Sequence, residues 1–116
     1  MLQITPKHKI YLAVEPIDFR RGIDGIVALC QQQFGLNPQS GHLFVFRNKK
    51  ATMLKCLLYD GQGFWLCQKR LSQGRFTHWP KHADTLHTLT VAQWQVLIYQ
   101  GDPACVVQTP AWAPID

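Results

Sequence analysis

The chain has 116 residues, 47% of them hydrophobic and 16% charged, with a formal net charge of +5 at neutral pH. That length suits one domain with its own core, and the apolar share is too high and the charge too low for a disordered chain. No stretch approaches the roughly 18 apolar residues of a membrane-spanning helix, and the first seven residues lack the apolar core and cleavage site of a secretory signal, so a cytoplasmic protein without a membrane association is expected.

In chain order, residues 10–14 read as a short strand stopped by Glu15-Pro16. Asp18 is placed to cap a helix over residues 21–34, where Ile23, Ile26, Val27, Cys30 and Phe34 recur at three- and four-residue steps to make one buried stripe, and Gly35 supplies the stop. A turn over residues 37–41 leads to a strand over 42–46, and Asn48-Lys49-Lys50 is polar enough for a reversal into a second strand over 51–59. Asp60-Gly61-Gln62-Gly63 is the strongest turn signal in the chain, with a third strand returning over 64–69.

If Gly61-Gln62 is a two-residue type II′ turn, Tyr59 opposes Phe64, Leu58 opposes Trp65, Leu57 opposes Leu66, and Cys56 opposes Cys67; a three-residue turn with a bulge would shift this register. Both faces of that hairpin are apolar, which requires helices over both or another chain over one. Residues 75–79 read as a fourth strand ended by Pro80, and residues 81–87 as a loop. Thr90 and Gln93 then fit a capping box, with Leu89 and Trp94 at the two positions of a hydrophobic staple, opening a helix over 91–99. The sum is an α+β domain over residues 1–101, an antiparallel β-sheet of about four or five strands packed with two α-helices, followed by a Pro-containing tail over 102–116.

Enzyme signatures are absent: no HExxH, phosphate loop, dinucleotide-binding glycine pattern or serine elbow. Asp18, Asp24 and Asp60 are the acids that a magnesium site would recruit, yet each has a simpler local role as helix cap, exposed helix residue and turn former. His78, His82 and His87 invite a zinc reading, but Pro80 argues against a helix that would align the first two, and the four cysteines form no short ligand pair. The expectation is therefore no catalysis, no cofactor, no metal, and thiols that stay reduced. The aromatic residues among the bases resemble a stacking platform, although most are needed for the core; Trp79 reads as the least committed to the interior.

Basic residues make the better site. Between Arg47 and Arg75 lie Lys49, Lys50, Lys55, Lys69 and Arg70, against the single acid Asp60. Antiparallel pairing should bring Lys69, Arg70 and Arg75 to the sheet end that carries Arg47, Lys49 and Lys50, and Arg20 and Arg21 extend the patch at a helix start. Nucleic-acid phosphate, a docking protein and plain solubility all account for such a patch.

Four motifs in order, Asp18-Phe19-Arg20-Arg21-Gly22-Ile23-Asp24-Gly25, Gly41-His42-Leu43-Phe44-Val45-Phe46-Arg47-Asn48, the stretch from Leu58 through Asp60-Gly61-Gln62-Gly63 to Leu66, and Lys69-Arg70-Leu71 with Gly74-Arg75-Phe76, resemble the TnpB-type accessory protein of insertion sequences in the sixty-six family. The resemblance covers residues 8–101. It implies a role in DNA transposition without transposase catalysis and with no catalytic residue to transfer; a non-catalytic accessory that binds element DNA, the transposase or both is expected, the alternative being a protein adaptor with no direct DNA contact. Self-association through an apolar sheet face is a further expectation.

Overall fold

A computed structural model describes residues 9–81 and 86–106. Five strands, β1 (Ile10–Ala13), β2 (Leu43–Arg47), β3 (Met53–Tyr59), β4 (Phe64–Arg70) and β5 (Leu86–Leu89), join helices α1 (Ile23–Gln32) and α2 (Val91–Ile98); a single 3-10 turn spans Pro103–Cys105. The sheet order is β4-β3-β2-β1-β5. Only β1 and β2 pair in parallel, and the other neighbours are antiparallel, so the fold is α+β with a mostly antiparallel sheet.

The β3–β4 hairpin has the register expected for the two-residue turn, with Tyr59 opposite Phe64 and Cys56 opposite Cys67. Gly61 takes φ +95°, which a side chain would resist. The Asp60 carboxylate accepts from the Gln62 and Gly63 N–H groups (2.9 and 2.8 Å) and from Trp65 Nε1 (2.7 Å), so one side chain organises the whole reversal. At the other end of β3, Asn48 Oδ1 accepts from the Thr52 and Met53 N–H groups (2.9 and 3.1 Å), shaping a turn in which Ala51 sits at φ +56°.

Each sheet face carries its own apolar layer. On one face α1 lays Ile26, Leu29 and Cys30 against Phe44, Phe46 and Leu57. On the other α2 lays Trp94 and Leu97 against Leu12, Val45, Leu54 and Leu58. The chain's own helix α1 covers one face of the hairpin, and the α2 layer covers β3 on the other, while Trp65 and Cys67 of β4 stay exposed there. Thr90 accepts from the Gln93 N–H (3.1 Å) while the Gln93 side chain accepts from the Thr90 N–H (2.9 Å), completing the capping box, and Leu89 and Trp94 are buried in the same layer.

Four expectations are corrected. Residues 75–79 are not a strand but an irregular segment laid over the α2 face, because Phe76 and Trp79 stand three residues apart and both turn into that layer, which a strand's alternation forbids. The fifth strand is β5, whose first two residues fall in the stretch expected to be a loop; it pairs with β1. Trp79 is 5% exposed and its Nε1 donates to the Ala13 carbonyl (2.9 Å), so it is core rather than surface. Asp18 does not cap α1, whose N-cap is Gly22 without a side-chain cap; Asp18 instead accepts from the Arg20 N–H (2.9 Å). The proline tail beyond Val106 and His82 lie outside the described residues.

Candidate nucleic-acid interface

The end of the sheet remote from Asp60 is built from the β2–β3 turn and the segment running from Leu71 to Lys81. The two are stitched by backbone hydrogen bonds, Leu71 N–H to the Thr52 carbonyl (2.9 Å) and Phe76 N–H to the Ala51 carbonyl (2.7 Å). Gln100, just beyond α2, adds a clamp by donating to the Gln73 and Arg75 carbonyls (3.4 and 3.3 Å). With Phe76 and Trp79 sunk into the core, the residues between and beside them are held at the surface.

Between these segments lies a cleft of about 270 Å³ lined by Arg47, Lys49, Lys50, Ala51, Arg75, Phe76, Thr77, Trp79 and Lys81. Five of those side chains are cationic and none is acidic. Lys49, Lys50, Arg75 and Lys81 are exposed, and none forms an ion pair with a described residue. Arg47 is half-buried; its guanidinium reaches the Asn48 carbonyl (3.4 Å), while its buried Nε has no partner among the described residues. Clustered cations without counter-charges repel one another and concentrate positive potential in the cleft, which favours an anion between them.

The remaining expected bases are placed elsewhere. Lys69 opposes Leu54, so its backbone is near the β2–β3 turn, but its side chain shares the α2 face, donates to the Ile98 carbonyl and lies 4.3 Å from the Tyr99 ring centre. It neutralises the carbonyl end of α2 instead of facing the cleft. Arg70, opposite Met53, alternates onto the α1 face and is exposed. Arg20 holds Asp18 through paired bonds (2.8 and 3.1 Å), which draws the Asp18 carboxyl down to about 2. Arg21 stands beside it, also exposed.

Lys55, counted among the basic residues by sequence, is 7% exposed and is no part of a surface patch. Its Nζ donates to the Phe19 and Arg21 carbonyls (2.8 and 3.1 Å) from the α1 side of β3. The fold therefore separates the bases into a cleft group and an Arg20–Arg21 group on the α1 face. Lys81, in a stretch that reads as a loop, also joins the cleft; its position two residues beyond Trp79, an aromatic anchor, is the signal for it.

No group of three or more His, Cys, Asp or Glu among the described residues is arranged to hold a metal ion. Asp60 lies at the far end of β3 from the cleft and is spent on its turn, and Asp18 on Arg20. No helix among the described residues is long and apolar enough to cross a membrane.

Comparison with known proteins decides the family. The model of the IS66 Orf2 like proteins matches residues 8–105. The chain belongs to that family. IS66 Orf2-like proteins are transposition-associated accessory proteins and not known enzymes. Two proteins of Sinorhizobium fredii (strain NBRC 101917 / NGR234) are similar to this chain over most of their length. One, named uncharacterized protein y4jC, is 35% identical over 106 residues, 91% of this chain and 90% of its own. The other, uncharacterized protein y4hO, is 36% identical over 98 residues, 84% of each chain. No solved structure matches.

Proposed function

We propose that this IS66 Orf2-like protein acts in transposition as a non-catalytic accessory that grips the phosphate backbone of element DNA in the cleft between the β2–β3 turn and residues 75–81. The observation that carries this reading is the cluster of Arg47, Lys49, Lys50, Arg75 and Lys81 around one cleft with no carboxylate in its lining. Lysine and arginine side chains satisfy phosphate oxygens with charge-assisted hydrogen bonds and release condensed counterions, which supplies affinity with little sequence selectivity. Phe76 and Trp79 are buried, so the cleft presents charge rather than aromatic faces, which favours backbone contact over stacking on unpaired bases.

Non-catalytic action follows from how the acids are spent. Asp60 is committed to its turn at the far end of β3 and Asp18 to Arg20, and neither lines the cleft whose cations would position a scissile phosphate. The test is a direct titration of element-end and unrelated duplexes, with and without transposase. The reading expects similar affinity for both duplexes from the protein alone, and no cutting or joining with magnesium or manganese. Binding only when transposase is present would move the activity to protein docking.

A further inference from the structure

The sheet has two edges of different character. β5 is four residues long, whereas β4 spans seven, contains no Pro or Gly, and pairs residue for residue with β3. The Asp60 N–H donates to the Gly63 carbonyl (3.1 Å) and the Leu71 N–H to the Thr52 carbonyl (2.9 Å), which sets the alternation along β4. Trp65, Cys67 and Lys69 spend their backbone groups on β3. Phe64, Leu66, Gln68 and Arg70 turn theirs to the open edge. No strand among the described residues pairs with this edge, and an open edge of this length is a template for another strand unless something blunts it.

We infer that β4 pairs with β4 of a second copy of this chain, antiparallel across a two-fold axis at Cys67, joining two sheets into one. Among two-fold registers, only the one centred on Cys67 overlaps the whole strand. It pairs Leu66 with the partner's Gln68 and Phe64 with the partner's Arg70, and all four of those residues carry outward N–H and C=O groups, so the hydrogen-bond parity is satisfied. Cys67 then faces the partner's Cys67 as a pair without backbone hydrogen bonds.

The same register matches the side chains. Trp65, 45% exposed and hydrogen-bonded to the Asp60 carboxylate, comes opposite the partner's Lys69. Lys69 keeps its ammonium on the Ile98 carbonyl, so the free cation is Arg70, which comes opposite the partner's Phe64 beside the Asp60 turn, and the like charges at positions 69 and 70 are kept at opposite ends. This complementarity favours a second copy over an unrelated strand. The paired surface is the strand edge, not a sheet face, and no β4 residue lines the cleft.

Sedimentation equilibrium of the full chain in reducing buffer, over the micromolar range, tests the pairing. The wild type should show a reversible dimer. Cys67→Lys and Cys67→Glu place like charges directly opposite each other, and each alone should weaken dimerisation by at least about tenfold. An equimolar mixture of the two should restore it as a heterodimer. Gln68→Pro, which removes one outward N–H that β3 does not use, should give a monomer that melts like wild type diluted below its dimer range. A wild type that stays monomeric throughout the range, charged variants that dimerise as the wild type does, or a mixture that fails to pair would each overturn the proposal.

Discussion

Lys55 Nζ lies 2.8 Å from the carbonyl oxygen of Phe19, a residue 36 positions earlier, and the bond ties the middle of β3 to the loop that presents Arg20 and Arg21. The ammonium also sits 5.0 Å from the Phe19 ring centre, so one buried cation is satisfied by two carbonyls and an aromatic face. Lys55→Met keeps the stem and strands both carbonyls. We expect a loss of about 1–3 kcal/mol by urea unfolding, and faster amide exchange at residues 19–22.

Thr90→Ala breaks the capping box that starts α2. The expected cost is about 1 kcal/mol, read as a lower melting temperature. Fraying should be confined to the first turn of α2, because Trp94 and Leu97 still anchor the helix in the core.

The thiols should divide by burial. Desolvation pushes the Cys30 thiol up to about 12 and raises Cys56 further still, whereas Cys67 and Cys105 are exposed. Iodoacetamide at mildly alkaline pH should therefore label position 105 in the native protein and position 67 in protein diluted to the monomer, and positions 30 and 56 only after unfolding. Peptide mapping checks this. At Cys105 the neighbouring Asp102 charge also raises the thiol, so its labelling should quicken in Asp102→Asn.

Acid should weaken the β3–β4 turn. Three hydrogen bonds, from Gly63, Gln62 and Trp65, hold the Asp60 carboxyl below its ordinary value of 3.8. A depressed folded-state value adds stability above the unfolded-state value, and that stability is lost as pH falls through the folded one. Asp60→Ala should melt below the wild type at neutral pH, and the gap should narrow as pH drops below the ordinary carboxylate range. Melting curves across that window check the sign.

The hairpin was legible in the sequence because Asp60 and Gly61 combine a carboxylate that caps its own turn with a residue free to take positive φ, between β-rich apolar flanks. The α2 start was legible for a similar local reason, the Thr90–Gln93 reciprocity. The β1–β2 parallel pairing was not, since alternation within a strand says nothing about which strand lies beside it. Residues 75–79 resemble a strand in composition, but the three-residue spacing of Phe76 and Trp79 does not fit period two, and the segment is irregular. At the candidate site, Arg47, Lys49, Lys50 and Arg75 gather as topology suggested, but backbone proximity did not decide where Lys69 points. The Ile98 carbonyl at the end of α2 holds it instead.

The central claim is that the cleft grips DNA phosphate, and the salt dependence of binding tests it most directly. Lys49, Lys50, Arg75 and Lys81 are replaced together by Ser, leaving Lys55 and Lys69 to their structural roles. Fluorescence anisotropy then follows duplex affinity against salt concentration for element-end and unrelated sequences, with melting temperature as the fold check. The account predicts weaker binding to both duplexes alike, and a log-log salt slope flattened by up to about 0.9 per lost phosphate contact. A folded variant with unchanged affinity and unchanged slope would contradict it.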